Sequence, residues 1–215
     1  CDAVEWTADS SVVSLVAGGA MGTRRAVVSV GGQWGSLTGQ VSYDGASVSG
    51  CNASNVVVSG GVKVTLVGSH IGSGGYRGRA RVGGSAVCVT TWTADSSLAA
   101  IVVRGVSGSR RATVSVGGQV GSTTLLVSYD SVLVSNVSWT NVAATGSVNV
   151  TVFGTGLGMN DYSDGVNVGG SACAPGAEWT SDTAVVCGSL SGAGGSRRVA
   201  VSVGRQVGTA TLLVS

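Results

Sequence analysis

The sequence is short of charged residues, of proline and of histidine. Lys, Arg, Asp and Glu make up 10% of the 215 residues, the formal net charge is +2, and the chain has one proline and one histidine. Nucleic-acid binding relies on clustered Lys and Arg that neutralise phosphates, so this balance argues against a nucleic-acid partner. Ser and Gly interrupt every valine run before it reaches the roughly 18 apolar residues of a membrane span, which argues against membrane insertion.

Residues typical of helices are also scarce. The chain has 11 Leu, 2 Ile and one Lys, against 41 Val and 37 Gly. Valine is β-branched and fits the pleated surface of a sheet, while glycine supplies turns. This composition predicts an all-β protein made of many short strands.

An internal repeat organises the chain. Three blocks align, starting at Cys1, Cys88 and Cys173, with a spacing of 85 to 87 residues. The second and third blocks are preceded by a further shared segment, which the first block lacks. We therefore predict complete repeats at residues 46–130 and 131–215, and the C-terminal half of a repeat at residues 1–45, to be completed by upstream chain or by a neighbouring subunit.

Strands within one repeat follow from alternating apolar residues and from turn chemistry. Short strands at a spacing of 8 to 12 residues are typical of an antiparallel sandwich. The predicted strands with the clearest patterns are Val62 to Val67, Arg79 to Val82, Leu98 to Val103, Ala112 to Val116 and Thr123 to Ser128.

The order of motifs in the last repeat resembles the IPT/TIG domain, an immunoglobulin-like family found in plexins and transcription factors. The motifs are VTVFGTGLG at Val150 to Gly158, VNVGG at Val166 to Gly170, Cys173, WTSD at Trp179 to Asp182, Cys187, and VSVG at Val201 to Gly204. The resemblance implies tandem immunoglobulin-like antiparallel β-sandwiches. It implies little about function, since the family includes receptors, DNA-binding proteins and accessory modules of starch enzymes. Proline, common at IPT domain junctions, is missing after Tyr43-Asp44 and Tyr129-Asp130.

The resemblance also implies a disulfide between Cys173 and Cys187. Ser14 and Ala100 stand at the position of Cys187 in the other two blocks, so this bridge is expected in the last repeat alone. Closing such a loop contributes about 3 kcal/mol in the chain-entropy picture. Cys51 is left with two alternatives, Cys88 in its own repeat or Cys1 in the preceding one. Five cysteines in a poorly charged chain suit an oxidising, extracellular compartment.

Catalysis has few candidates in this sequence. His70 is the one histidine, and it lies in the Gly-rich loop from Gly68 to Gly75. No Ser/His/Asp set or zinc-ligand spacing accompanies it. Asp161 and Asp164 lie in a loop that resembles a calcium loop, but their spacing does not fit the EF-hand pattern. We predict no enzyme activity, no metal site and no cofactor other than covalent glycans.

Two further motifs recur in every block. A Trp-Thr-Ala/Ser-Asp segment begins at Trp6, Trp92 and Trp179, and its recurrence favours a packing role for Trp and a turn role for Asp over sugar stacking. Arginine pairs precede each Val-Ser-Val strand and are candidates for contacts with glycans or a neighbouring subunit, although a solvated strand is the simpler interpretation. These pairs are Arg24-Arg25, Arg110-Arg111 and Arg197-Arg198.

Three N-glycosylation sequons start at Asn52, Asn136 and Asn149. Asn149 alternates with Val148 and Val150, and so it points outward if the valines point inward. We expect glycans at these sites if the protein passes through a secretory pathway.

The half repeat at residues 1–45 suggests a function. Half a β-sandwich leaves apolar faces and strand edges open unless another segment covers them. Completion by a second copy is a head-to-tail contact that generates a filament. The leading hypothesis is thus a structural subunit of an extracellular, glycosylated filament or surface fibre, with the chain itself as partner. The alternative is an adhesion or recognition ectodomain that binds glycans or other cell-surface proteins.

Overall fold

The computed structural model describes residues 3–20, 22–73, 76–106, 108–146, 148–162, 164–173, 176–188 and 195–214. These residues form 21 strands and no helix, so none of them provides a helix of the length and apolarity that crossing a membrane requires. Backbone contacts divide the chain into two compact units. Unit 1 comprises Cys1–Asn52, Thr65–Ala100 and Ala112–Leu125, and unit 2 comprises Ala53–Val64, Ile101–Arg111 and Leu126–Ser215.

Residues 3–45 form two separate hairpins. The strands are β1 (Ala3–Ala8), β2 (Ser11–Leu15), β3 (Thr23–Val30) and β4 (Gln33–Ser42). Strand β1 pairs with β2, and β3 pairs with β4, in two-stranded antiparallel sheets. The β3–β4 turn is Gly31-Gly32, where both residues have positive φ, as a tight hairpin turn demands.

The middle repeat contains nine strands in two sheets. They are β5 (Ser47–Cys51), β6 (Asn55–Val56), β7 (Lys63–Ser69), β8 (Arg79–Val82), β9 (Ser85–Ala86), β10 (Val89–Ala94), β11 (Ser97–Ile101), β12 (Arg110–Val116) and β13 (Gln119–Tyr129). One sheet has the order β10-β11-β7-β5, and the other has the order β6-β13-β12-β8-β9. The pairs β5–β7, β8–β9 and β8–β12 are antiparallel, and β6 runs parallel to β13.

The last repeat contains eight strands in two sheets of four. They are β14 (Leu133–Val137), β15 (Val150–Thr155), β16 (Gly165–Val168), β17 (Ser171–Ala172), β18 (Ala177–Ser181), β19 (Ala184–Cys187), β20 (Arg197–Val203) and β21 (Gln206–Val214). The orders are β14-β15-β19-β18 and β17-β16-β20-β21. The predicted fold class, tandem immunoglobulin-like β-sandwiches, is confirmed.

The core of each complete repeat follows the period of two that strands impose. On β20, Val199, Val201 and Val203 are fully buried, while the residues between them are partly exposed. On β12, Val114 and its neighbours alternate in the same way. Burying one such valine contributes about 1.5 kcal/mol or more, so these alternating rows stabilise each sandwich.

Candidate functional site

An open apolar face is the main surface feature of residues 3–45. Val12, Val16, Val28 and Val30 are 39%, 50%, 49% and 69% exposed. By the repeat alignment they correspond to Leu98, Val102, Val114 and Val116 of the middle repeat, which are at most 2% exposed. All eight side chains are apolar and the two stretches are similar in sequence, so the difference lies in what covers the valines. We call these four valines the apolar face.

In the middle repeat the corresponding residues lie on or next to strands that have further neighbours. In the middle repeat, β11 pairs with β7 and β12 pairs with β8. The matching strands β2 and β3 have one partner each among the described residues, namely β1 and β4. Residues 3–45 therefore present half of each sheet, with an unpaired strand edge beside the apolar face.

A clamped glycine recurs in both complete repeats. The Gly72 N–H donates a 2.8 Å hydrogen bond to Asp95 Oδ1, and its carbonyl accepts a 2.8 Å bond from Trp92 Nε1. The same two bonds hold Gly158, from its N–H to Asp182 Oδ1 (2.9 Å) and from Trp179 Nε1 to its carbonyl (3.2 Å).

The repeated Trp and Asp of the two complete repeats therefore fix a backbone turn, which confirms the turn role predicted for Asp. We call each such set a glycine clamp: Gly72, Trp92 and Asp95, or Gly158, Trp179 and Asp182. Trp6 of the first block is 70% exposed.

The one histidine of the chain lies in an exposed position. His70 has a left-handed backbone (φ 57°), and its Nε2 lies 3.4 Å from Asp44 Oδ2, with both side chains largely exposed to solvent. An exposed pair of this kind contributes little to stability.

The aspartates of the calcium-like loop behave differently from each other. Asp161 is exposed, whereas Asp164 is buried and neither of its carboxylate oxygens has a hydrogen-bond partner among the described residues. Burial, and secondarily the nearby Asp161, raise the pKa of Asp164 to about 6. Across the described parts of the chain, no three His, Cys, Asp or Glu side chains come together to hold a metal ion.

Of the predicted cysteine pairs, one is confirmed and one is wrong. Cys173 and Cys187 form a disulfide with a Cα–Cα distance of 5.5 Å, as the family resemblance implied. Cys51 and Cys88 are free thiols, so the pairing between them is wrong. Cys51 lies on β5 and Cys88 just before β10, at opposite edges of one sheet, about 14 Å apart by ordinary strand spacing and beyond disulfide reach. Cys1 lies outside the described residues.

The three sequon asparagines are all exposed to solvent. The Asn52 side chain accepts a hydrogen bond from the Thr65 N–H, and that of Asn136 accepts one from the Val137 N–H. Val150 is buried beside exposed Asn149, as the alternation predicted. A shallow cleft of about 380 Å³ adjoins Asn149 and carries a single carboxylate, Glu178, among its described lining residues.

The arginine pairs lie on the surface. Five of the six residues are exposed and Arg110 is partly exposed. Arg24 donates a 3.1 Å hydrogen bond to the Ala20 carbonyl, and the side chain of Arg197 lies beside the turn at Gly169. Their contacts with glycans or other subunits stay predictions.

Sequence reasoning missed the role of the tyrosines near the ends of the first two repeats, Tyr43 and Tyr129. The Tyr43 hydroxyl donates a 3.0 Å bond to the Ala17 carbonyl, and the Tyr129 hydroxyl donates a 2.9 Å bond to the Val103 carbonyl. The signal was available, because both pairs have the same separation of 26 residues.

Comparison with known proteins gives one family match. The model of the IPT/TIG domain matches residues 46–129 and 133–215. No curated protein matches the chain.

Several solved structures are similar at low identity. The plexin A4 extracellular region is 16% identical, with 78% of this chain and 18% of that chain covered and a TM-score of 0.39. The surface glycan-binding protein PbSGBP-B of Prevotella bryantii is 15% identical, with 75% and 38% covered and a TM-score of 0.44. The I9–I11 tandem of titin is 10% identical, with 96% and 86% covered and a TM-score of 0.34.

Proposed function

The chain belongs to the IPT/TIG domain family, and we propose that it is a non-catalytic structural subunit of an extracellular filament. The repeats form the body of the filament, and further copies of the same chain join it head to tail. The proposal depends on one observation, the apolar face at residues 3–45 with its unpaired strand edges.

An exposed sheet edge next to exposed valines favours pairing with another strand-forming segment. The chain itself contains the kind of segment that fits. In the middle repeat, residues 63–69 and 79–82 lie against the strands that match β2 and β3, and they bury Val64, Leu66 and Val82. The proposed occupant of the apolar face is a strand-forming segment of a second copy that adds to the open sheet edges and does not leave a repeat of its own.

This contact joins two different surfaces, so it continues from copy to copy as a filament when the rotation between copies does not close a ring. The Cys173–Cys187 disulfide supports an extracellular location, because disulfides persist in oxidising compartments. The three exposed sequon asparagines support glycosylation of the filament surface.

Electron microscopy of the native full chain over a range of concentrations tests the proposal. We expect regular fibres whose length grows with concentration. An excess of a peptide with the sequence of residues 46–87 should shorten them, because it occupies the apolar face. The matched control is the same peptide with Leu66→Asp, which removes a fully buried contact and should leave the fibres unchanged.

Dispersed particles at every concentration would overturn the filament. That outcome would favour the alternative, an adhesion or recognition ectodomain whose apolar face is covered by other parts of the same protein. Fibres whose length does not change when the peptide is added would support the filament but overturn strand addition at the apolar face as its cause.

A further inference from the structure

The two glycine clamps face a neighbouring repeat in the same manner. Gly72 has φ +82° and Gly158 has φ +95°, and each exposes a bare backbone surface where another residue would carry a Cβ. At Gly72 that Cβ position lies 3.2 Å from the Ala20 Cβ, within unit 1. At Gly158 it lies 2.9 Å from the Val106 Cγ1, within unit 2.

The small residue that meets each glycine lies in a loop of the preceding repeat, between β2 and β3 for Ala20 and between β11 and β12 for Val106, and it is buried there. Ala20 is 5% exposed and Val106 is 7% exposed. Ala20 is the single buried residue among residues 3–20 and 22–45 for which burial is described, although the strands around it are open to solvent. Its cover is therefore the Gly72 loop of the next repeat.

A tyrosine holds each small residue in place. The ring of Tyr43 lies against Gly19, which comes directly before Ala20, and the ring of Tyr129 lies against Gly105, which comes directly before Val106. A Cβ at either glycine would overlap the ring, so both sequences need Gly there. The hydroxyl bonds to Ala17 and Val103 close the turn, and the small residue is presented in a fixed position.

A second tyrosine and a glutamine complete the contact. The Tyr76 hydroxyl donates a 3.4 Å bond to the Gly18 carbonyl, and the ring of its counterpart, Tyr162, lies beside Gly158. Gln206 Oε1 accepts a 3.1 Å bond from the Val132 N–H. The amide of its counterpart, Gln119, accepts a 2.7 Å bond from the Gly22 N–H and donates a 3.3 Å bond to the Asp44 carbonyl.

The geometry points to an inter-repeat coupling site, in which each glycine clamp binds a loop of another repeat of the same kind and fixes the angle between the two. The ligand is a Gly-Ala or Gly-Val pair followed 23 residues later by the tyrosine that holds it. The contact of the clamped glycine with the small residue and the contacts of the tyrosine that holds it occur twice, about 86 residues apart and in different compact units, so one accidental packing event does not account for them. The site goes beyond filament assembly, because it acts within a single chain.

Flexible linkers are the default between domains with small interfaces, and the coupling site predicts the opposite. The test is the distance distribution between two spin labels on the full chain, introduced as non-canonical amino acids at the exposed positions Ser59 and Asn149, both in unit 2. The unchanged chain should give one narrow distribution. Val106→Asp places a carboxylate against the Gly158 backbone and should increase the width of the distance distribution about twofold or more.

Two control variants make the result specific. Val120→Asp adds the same charge at a residue that is 69% exposed, and it should leave the distribution narrow. Val106→Ala introduces the residue type of Ala20, which meets Gly72 in the corresponding contact, and the distance distribution should also stay narrow. Hydrogen exchange of core amides such as that of Val201 checks that the last repeat stays folded, while the Gly158 amide should exchange about tenfold faster in the aspartate variant.

A broad distribution in the unchanged chain would overturn the coupling site, even if the chain forms fibres. So would a narrow distribution that survives Val106→Asp with the fold intact. Should Val106→Asp unfold the repeat, Gln206→Ala replaces it, since it removes the bond to Val132 without placing a charge in the contact.

Discussion

Cys187 is joined to Cys173 and is buried at the position where the middle repeat has Ala100, which is equally buried. At this core position the two sandwiches thus differ by one covalent bond. Cys187→Ala gives the last repeat the residue of the middle one, and we expect it to lose about 3 kcal/mol of unfolding free energy. Hydrogen exchange of the slowest amides in β19 and β20 measures this loss.

The matched control for the disulfide is Cys51→Ser, which changes a free thiol and should cost far less. A reducing agent should destabilise the unchanged last repeat and leave Cys187→Ala unaffected. Equal sensitivity of both proteins to the reductant would contradict the prediction.

Burial of Asp164 predicts a stability that falls as pH rises. Its folded pKa of about 6 lies above the usual value of 3.8, so the folded state holds the proton more tightly than the unfolded state. The associated stability is fully present below the unfolded pKa and is lost as pH rises through about 6. Between pH 4.5 and 7.5 the last repeat should lose about 2 kcal/mol from this group.

Asp164→Asn removes the titration, and its unfolding free energy should lack this part of the pH dependence. The position of Asp164 faces the core, because at the matching position in the middle repeat, Gly78, an added Cβ would meet Leu98 and Val116. Asp161→Asn should lower the pKa of Asp164 only in part, because burial is the larger cause. A pH dependence that is the same in Asp164→Asn and in the unchanged chain would refute the assignment.

Much of the fold was predictable because strands in this chain obey simple rules. The alternation from Arg79 to Val82 matches β8, and the valines of β12 and β20 face the core as the period of two requires. Cysteine pairing was less predictable, because the distance along the chain from Cys51 to Cys88 does not reveal that they lie at opposite sheet edges. The glycine clamps were predictable only in part. Their Trp and Asp recur in the sequence, but the glycine takes part through its backbone N–H and carbonyl, which no residue pattern indicates.

The Tyr129 hydroxyl bond predicts a measurable stabilisation of the turn it closes. Tyr129→Phe keeps the ring against Gly105 and removes only the bond to Val103, so we expect a loss of about 1 kcal/mol. Burial also raises the pKa of Tyr129, with a further rise from Tyr162 and an opposing effect of Arg110. The folded state therefore becomes less stable as pH rises above the ordinary tyrosine pKa of about 10.

A spectroscopic titration of tyrosinate absorbance checks this point. The unchanged chain should contain a late-titrating tyrosine that is absent from Tyr129→Phe. If the late phase persists in the variant, the assignment to Tyr129 is wrong.

The exposed sequons predict three glycosylation sites. Expression through a eukaryotic secretory pathway should add a glycan at each of Asn52, Asn136 and Asn149, and each Asn→Gln variant should lose one glycan mass by intact mass spectrometry. Asn160→Gln is the control, since Asn160 is exposed but lies outside any sequon. An unglycosylated secreted chain would contradict the prediction.

The apolar face predicts that one charge can prevent association. Val28 is half exposed on β3, while its counterparts Val114 and Val201 are fully buried. Any segment that completes residues 3–45 as the middle repeat is completed must bury Val28. Val28→Lys places an ammonium in that contact, where desolvation without a partner costs several kcal/mol, and it should abolish concentration-dependent association. Sedimentation velocity at rising protein concentration measures the effect.

Val207→Lys is the matched control, because Val207 is 66% exposed in a complete repeat and no missing strand is needed to explain its exposure. Both variants add one positive charge, so general repulsion affects them alike. If association depends on the apolar face, Val28→Lys dissociates the assembly and Val207→Lys does not. If both variants associate like the unchanged chain, the contact lies elsewhere, and the valines of residues 3–45 are covered by something other than a second copy.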